Sequence, residues 1–346
     1  MKKNTLFYWI LCVSVASLIV SACSKKKIQT EITSRIEYSV NIQSPEADME
    51  WWIQNIDGTK RDYLTNQLMG MAADPQIQLE DINYKPLRNN ILQSLYFLND
   101  SAHYLNNGLA VDTLIKGEIT SKNIKRLRFR EQWLLDANAF EIEKKVLAVC
   151  PVAVFYNNEG KEIYSKPLYW ININFKNTSP DLRNITERIQ YDVPIHNLNN
   201  KKDWWIENIE PQFRDKFLNT LMEAAYSDKY RLYDNFKTKL TAAELKNSLN
   251  FSDTIRLTQA NPPYNEFDTV IVHKFDPKDI HSIRFIEEWK LSPISLEITK
   301  RIIGICPVVN SYDSNNEFRG IKPLFWIYFN EKYPECITEI DAGIRK

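Results

Sequence analysis

Two hydrophobic spacings take turns along this chain. Phe213, Phe217, Leu221 and Ala225 recur every four residues and Leu218 and Met222 widen the stripe, which predicts an amphipathic helix over about 213–225. Thr241-Ala242-Ala243-Glu244 has the form of a capping box and predicts a short second helix. Asn261-Pro262-Pro263 marks a loop. Beyond it the period becomes two. Ile283, Phe285, Glu287 and Trp289 share one face of a strand over about 281–291. A second strand over about 296–309 carries Ile298, Ile302, Ile303 and Ile305, and a third covers about 321–329. Asp313-Ser314-Asn315-Asn316 is the turn between them.

The same order occurs earlier in the chain, with its turn at Asn157-Asn158-Glu159-Gly160. Arg35-Ile36-Glu37-Tyr38 matches Arg188-Ile189-Gln190-Tyr191, and Trp51-Trp52-Ile53 matches Trp204-Trp205-Ile206, at an offset of 153. Residues 35–72 and 188–225 share 16 identities in 38 positions. Farther on the offset is 156: Cys150-Pro151-Val152 meets Cys306-Pro307-Val308, and Lys166-Pro167-Leu168 meets Lys322-Pro323-Leu324. Residues 124–174 and 280–330 share 19 identities in 51 positions. The chain is a tandem duplication of a domain-sized unit, too long for a solenoid repeat. The expected fold is α+β: two homologous domains, 35–174 and 188–332, each with helices packed on a small antiparallel three-stranded meander. Residues 175–187 are the expected linker and 333–346 a C-terminal tail.

The N-terminus adds a compartment. Lys2 and Lys3 precede an apolar run from Leu6 to Ala22, 17 residues long and short of the ~20 that span a bilayer. Val20-Ser21-Ala22-Cys23 closes the run. This resembles the lipobox of bacterial lipoproteins. The resemblance implies a signal peptide over 1–22, diacylglycerol on the Cys23 thiol, an acyl chain on its new amino group, and a tether over 23–34. Several acyl chains hold a protein to a bilayer far better than one. Ser24-Lys25-Lys26-Lys27 follows without acidic residues. The expected place is the outer membrane, facing the periplasm, in preference to the cell surface.

Composition narrows the chemistry. Lys plus Arg and Asp plus Glu number 44 each, which removes any electrostatic case for nucleic acid. Eight Gly argue against phosphate-cradling loops, and four His with five Cys leave little for metal clusters. None of His103, His196, His273 and His281 has a His at the repeat offset, so a duplicated metal site or histidine base is not expected. No catalytic residue, metal or other cofactor is assigned.

Glu131 and Glu287 do recur, each between Phe and Trp on the apolar face of a strand. A carboxylate there must be paired or protonated. A general acid is one reading. The favoured reading is a structural buried charge, with Arg61/Arg214 or Lys144/Lys300 as candidate partners. Cys150 and Cys306 are expected as buried free thiols. A bridge between them needs their Cα atoms within ~7 Å, and Cys336 is a further candidate. Trp51, Trp52, Trp204 and Trp205 are the candidate interface, because exposed aromatics anchor partners.

Several blocks of the second unit carry a wider likeness. Tyr191-Asp192-Val193-Pro194, then Trp205, Ile209-Glu210 and Arg214-Asp215-Lys216 come first. Phe275-Asp276-Pro277, Ile283 to Trp289, Arg301 to Pro307 and Phe318 to Phe329 follow in order. In order and spacing they resemble the GldN/PorN family, periplasmic subunits of the type IX secretion and gliding-motility machine of Bacteroidetes. The resemblance implies a non-enzymatic, structural role. It implies a partner, the lipoprotein K subunit, joined in a ring at the periplasmic face of the outer membrane. The usual N subunit is one unit and borrows its partner's lipid anchor, whereas this chain has two units and its own Cys23. The alternative function is a carbohydrate- or ligand-binding lipoprotein that uses exposed aromatics.

Overall fold

The computed structural model describes residues 29–44, 55–88, 91–106, 109–173, 181–197, 203–313, 315, 317–329 and 333–334. Cys23, Trp51, Trp52 and Cys336 lie outside the described residues. The first unit runs β1 (Gln29–Asn41), α1 (Gly58–Met71), β2 (Leu79–Glu80), β3 (Pro86–Leu87), α2 (Leu92–Tyr96), β4 (Phe97–Asn106) and β5 (Leu109–Glu118). It ends with β6 (Ile124–Asp136), β7 (Glu141–Tyr156), β8 (Glu162–Pro167) and β9 (Trp170–Asn172). The second unit repeats the plan: β10 (Arg183–Pro194), α3 (Pro211–Ala225), β11 (Arg231–Tyr233), β12 (Lys239–Leu240), α4 (Ala242–Leu249), β13 (Phe251–Thr258) and β14 (Glu266–His273). It closes with β15 (Ile280–Leu291), β16 (Ile298–Tyr312), β17 (Phe318–Pro323) and β18 (Trp326–Tyr328).

The helices follow their local chemistry. Asp57 caps α1 by accepting from the Thr59 and Lys60 amides at 3.1 and 3.5 Å. Pro211 opens α3, whose Phe217, Leu218, Leu221, Met222 and Ala225 are buried. The Thr241 capping box forms: Thr241 Oγ1 accepts from the Glu244 amide at 3.1 Å and Glu244 Oε2 accepts from the Thr241 amide at 2.8 Å.

The α+β expectation is corrected. The structure is mostly β, with 51% of the described residues in strands against 18% in helices, and large antiparallel sheets in place of small meanders. Two segments account for the difference. The openings of the units are edge strands: Ile36, Tyr38, Val40 and Ile42 alternate inward with 0–2% exposure, and β1 pairs with β6 as β10 pairs with β15. The stretches before the meanders are hairpins, β4–β5 and β13–β14, with Asn261-Pro262-Pro263 at the tip of the second.

The long strands join into one sheet of fourteen. β6, β7, β8 and β9 follow one another in the first unit, and β15, β16, β17 and β18 in the second. The units meet where β7 and β16 pair antiparallel, Lys144 opposite Lys300 and Lys145 opposite Thr299. Each main helix packs against the other unit's first strand, α1 on β10 and α3 on β1. One hydrophobic core therefore runs through both units. Among the described residues, no helix is long and apolar enough to cross a membrane.

The duplicated sheets differ at a tight spot. A Cβ on Gly304 falls 2.7 Å from Tyr328 Cδ1, whereas the first unit has Ala148 and Asn172 at these two places. Gly304→Ala is expected to cost about 1–3 kcal/mol through overpacking. Adding Tyr328→Asn should recover part of it, read from urea denaturation midpoints.

Candidate functional site

Period-two alternation puts Phe129, Glu131 and Trp133 on one face of β6, and Phe285, Glu287 and Trp289 on the same face of β15. Both ladders slip by a residue just there, between Arg130 and Glu131 and between Ile286 and Glu287. Both carboxylates are wholly buried. Trp133 Nε1 and Tyr38 Oη donate to Glu131 Oε2 at 2.8 and 2.7 Å. Trp289 Nε1 donates to Glu287 Oε2 at 2.8 Å, and Tyr191 Oη donates to the same oxygen.

The counter-charges come from the opposite unit. Lys300 Nζ lies 2.7 Å from Glu131 Oε1, and Lys144 Nζ lies 2.8 Å from Glu287 Oε1. All four side chains are cut off from solvent. Each ammonium also sits over a ring, Lys300 3.1 Å from the Phe129 centroid and Lys144 3.3 Å from the Phe285 centroid. Tyr38 and Tyr191 stack between the pairs at 5.9 Å, with their hydroxyls 3.4 Å apart. Phe129 meets Trp289 edge-on, and Trp133 meets Phe285. Every residue of this seam has its identical partner at the repeat offset.

Electrostatics keep the Glu131–Lys300 pair charged. Burial pushes the Glu131 carboxyl up. The Lys300 and Lys144 ammoniums, with hydrogen bonds from Lys300 and Tyr38, outweigh it and hold the carboxyl below its ordinary 4.5. Burial brings the Lys300 ammonium down to about 8, against the pull of Glu131. Burial first, then the carboxylates, pushes the Tyr38 and Tyr191 hydroxyls far up. At neutral pH Glu131 is therefore a carboxylate, Lys300 an ammonium, and Tyr38 and Tyr191 neutral phenols.

Arg61 and Arg214, the other candidate partners, tie their own loops instead. Arg61 reaches the Ile56 carbonyl at 3.2 Å and Arg214 the Asn208 side chain at 3.3 Å. Cys150 and Cys306 are free and buried, and burial pushes each thiol up to about 12.

Trp204 and Trp205 part company. Trp204 is 40% exposed. Trp205 docks on the first unit: the Glu37 amide donates to the Trp205 carbonyl at 3.0 Å, and the Glu207 amide donates to the Glu37 carbonyl at 2.8 Å. Arg35 stacks on the Trp205 ring at 4.0 Å and on Tyr84 at 4.6 Å. Buried Glu37 gathers Arg35 at 2.7 Å, Arg130 at 3.0 Å and the Tyr84 hydroxyl at 2.9 Å. Sequence reasoning missed this cluster because it is private to one unit. Gln190 replaces Glu37, Lys237 replaces Tyr84 and Ile286 replaces Arg130 in the second. The wealth of arginine around one buried strand position was the available signal. Among the described residues, no group of three His, Cys, Asp or Glu side chains is placed to hold a metal ion.

The family profile described as Gliding motility associated protein GldN matches residues 21–212 and again 197–339. The chain belongs to the GldN family. This makes it a component of the gliding-motility and type IX secretion machinery in the cell envelope. The match runs twice, and each ion pair of the seam joins a residue of one match to a residue of the other, Glu131 to Lys300 and Lys144 to Glu287. No curated protein matches the chain.

Three outcomes test the seam and its latch. Lys300→Met leaves a buried carboxylate unpaired and should cost about 3–5 kcal/mol, while Glu131→Leu with Lys300→Met should recover most of that in urea denaturation. The depressed Glu131 carboxyl contributes stability that is full above about pH 4.5 and lost as pH falls through its folded value. The urea midpoint should therefore drop below about pH 4.5, with a shallower drop in Glu131→Gln. Trp205→Ala should speed hydrogen exchange of the Glu37 and Glu207 amides at least ~10-fold, leaving amides of β16 unchanged.

Proposed function

We propose that this GldN protein is a structural outer-membrane lipoprotein that works by protein–protein assembly at the periplasmic face. The observation that carries the reading is the double GldN match on a chain whose repeated charged and aromatic residues are used to pack the two units together. Glu131 and Glu287, the best candidates for a general acid, are both engaged by buried partners. Each carboxylate faces an ammonium, a phenol and an indole, and neither reaches solvent. The recurring residues of the seam thus serve cohesion. Trp205, half of a candidate ligand platform, is spent on the first unit.

In this reading Cys23 carries the diacylglycerol and acyl chain and holds the chain at the membrane. The partners are ring subunits of the secretion and gliding machine, a K-type lipoprotein among them. With an anchor of its own, this chain does not depend on that partner for membrane retention.

A tagged pull-down from detergent-solubilised outer membranes tests the proposal. Ring subunits are expected to copurify with the wild type. Cys23→Ala should leave the membrane fraction yet still bring down the same subunits when mixed with solubilised membranes. Recovery of the protein from the outer membrane without any such subunit would overturn the assembly reading.

A further inference from the structure

The two units treat one region in opposite ways. In the first, the α2 and β4–β5 segment is pinned to the sheet at three points. Lys166 Nζ donates to the Leu95 carbonyl at 2.9 Å, Tyr164 Oη donates to Asp100 Oδ2 at 2.7 Å, and the Tyr96 and Tyr169 hydroxyls lie 2.7 Å apart. Below them Lys125 Nζ donates to Gln43 Oε1 at 2.5 Å.

The second unit has lost the pins. At the repeat offset Gly320 stands for Tyr164 and Phe325 for Tyr169, while His196 and His281 replace Gln43 and Lys125. A half-open groove of about 740 Å³ lies in this place, between the end of α4, the base of β14 and the strands β16 and β17. That volume is within the usual range for ligand sites. Lys274, Lys278 and Lys322 line it, with His196 and His281. Lys278 lies 3.6 Å from Asp215, but Lys274 and Lys322 make no ion pair among the described residues. The negative groups on the groove are Asp279 and Glu207, and burial pushes the Glu207 carboxyl up.

His281 supplies the second observation. It is hydrogen-bonded to the Asn310 side chain, and its Nδ1 is buried with no partner. Asn310 donates its amide N–H to the Tyr312 hydroxyl at 3.3 Å, which leaves its oxygen to accept from the imidazole. In the neutral ring Nδ1 is then an unused acceptor, and burial favours the neutral ring. A buried acceptor calls for a donor. A small polycarboxylate brings carboxylates but no donor. A peptide segment brings both carboxylates for the lysines and backbone N–H groups for Nδ1.

We propose that the groove of the second unit binds an extended, carboxylate-rich segment of a partner polypeptide, with Lys274 and Lys322 meeting its acidic side chains and His281 Nδ1 accepting a backbone N–H. The inference goes beyond the assembly reading and is independent of the lipid anchor. It assigns recognition to one unit, where the other has closed the same region.

Fluorescence anisotropy on the full mature chain tests it, using a dye-labelled ten-residue Asp/Glu peptide and its Asn/Gln counterpart. The acidic peptide is expected to bind, more weakly as salt rises, and the neutral one to bind at least ~10-fold more weakly. Lys274→Glu with Lys322→Glu should weaken the acidic peptide at least ~10-fold, whereas Lys116→Glu with Lys122→Glu in the first unit should leave it unchanged. His281→Phe should weaken it severalfold with an unaltered salt dependence. Unchanged urea midpoints establish that the variants are folded. Equal binding of the two peptides, no binding, or binding indifferent to Lys274→Glu with Lys322→Glu overturns the proposal. Citrate binding that depends on the same lysines, with no acidic-peptide binding, assigns the groove to a small acid and overturns it as well. Neither result bears on copurification of the ring subunits.

Discussion

Two carboxylates and two ammonium groups are buried at the seam, and neither unit can neutralise its own. Removing such charges from water costs several kcal/mol each unless an opposite charge and hydrogen bonds replace the lost hydration. Glu131 needs Lys300, and Glu287 needs Lys144. A unit on its own would leave its carboxylate and its ammonium without the close counter-charge that each meets across the seam. The arrangement therefore acts as a demand for pairing, and it specifies the register of that pairing. The β7–β16 ladder sets Lys144 opposite Lys300, and each lysine then reaches past the seam to the far carboxylate. The aromatic rings around the charges provide the apolar area that makes the contact favourable.

Around this symmetric centre the periphery is asymmetric. On the first unit, Glu37 and its arginines receive the Trp205 loop. On the second, the hairpin region is unpinned and a groove opens. The β13–β14 hairpin leaves Val270 and Val272 61% and 73% exposed, while the first unit buries Leu98 and Ala102 of its hairpin. The residues of the seam are kept in both units, whereas those around Glu37 and around the groove differ between them.

Much of the architecture was readable from residue spacing. The helix at Phe213 to Ala225, the Thr241 cap and the strands bearing Phe285 and Ile305 all carry strong periods, because each buries one face. The hairpins were not readable. Ser252, Thr254 and Arg256 are polar and exposed, so β13 reads as a polar loop. β1 and β10 carry plain alternation at Ile36, Tyr38, Val40 and Ile42, but that signal is short and was absorbed into the repeat. At the site, Glu131, Glu287 and their lysines could be named from the duplication. Their crossing could not, since Lys144 is equally compatible in sequence with either carboxylate. The choice is made by the β7–β16 pairing, which has no local signature.

The covalent join of the two units alters what kind of equilibrium the seam obeys. Two separate chains would meet by diffusion, and their union would dissolve on dilution. Here the second half arrives on the same thread, at an effective concentration set by the covalent join and not by expression level. The closed object forms even when a cell makes very few molecules. Because the halves never exchange partners, each is also released from having to fit a copy of itself, and one half can drift in sequence while the other holds still.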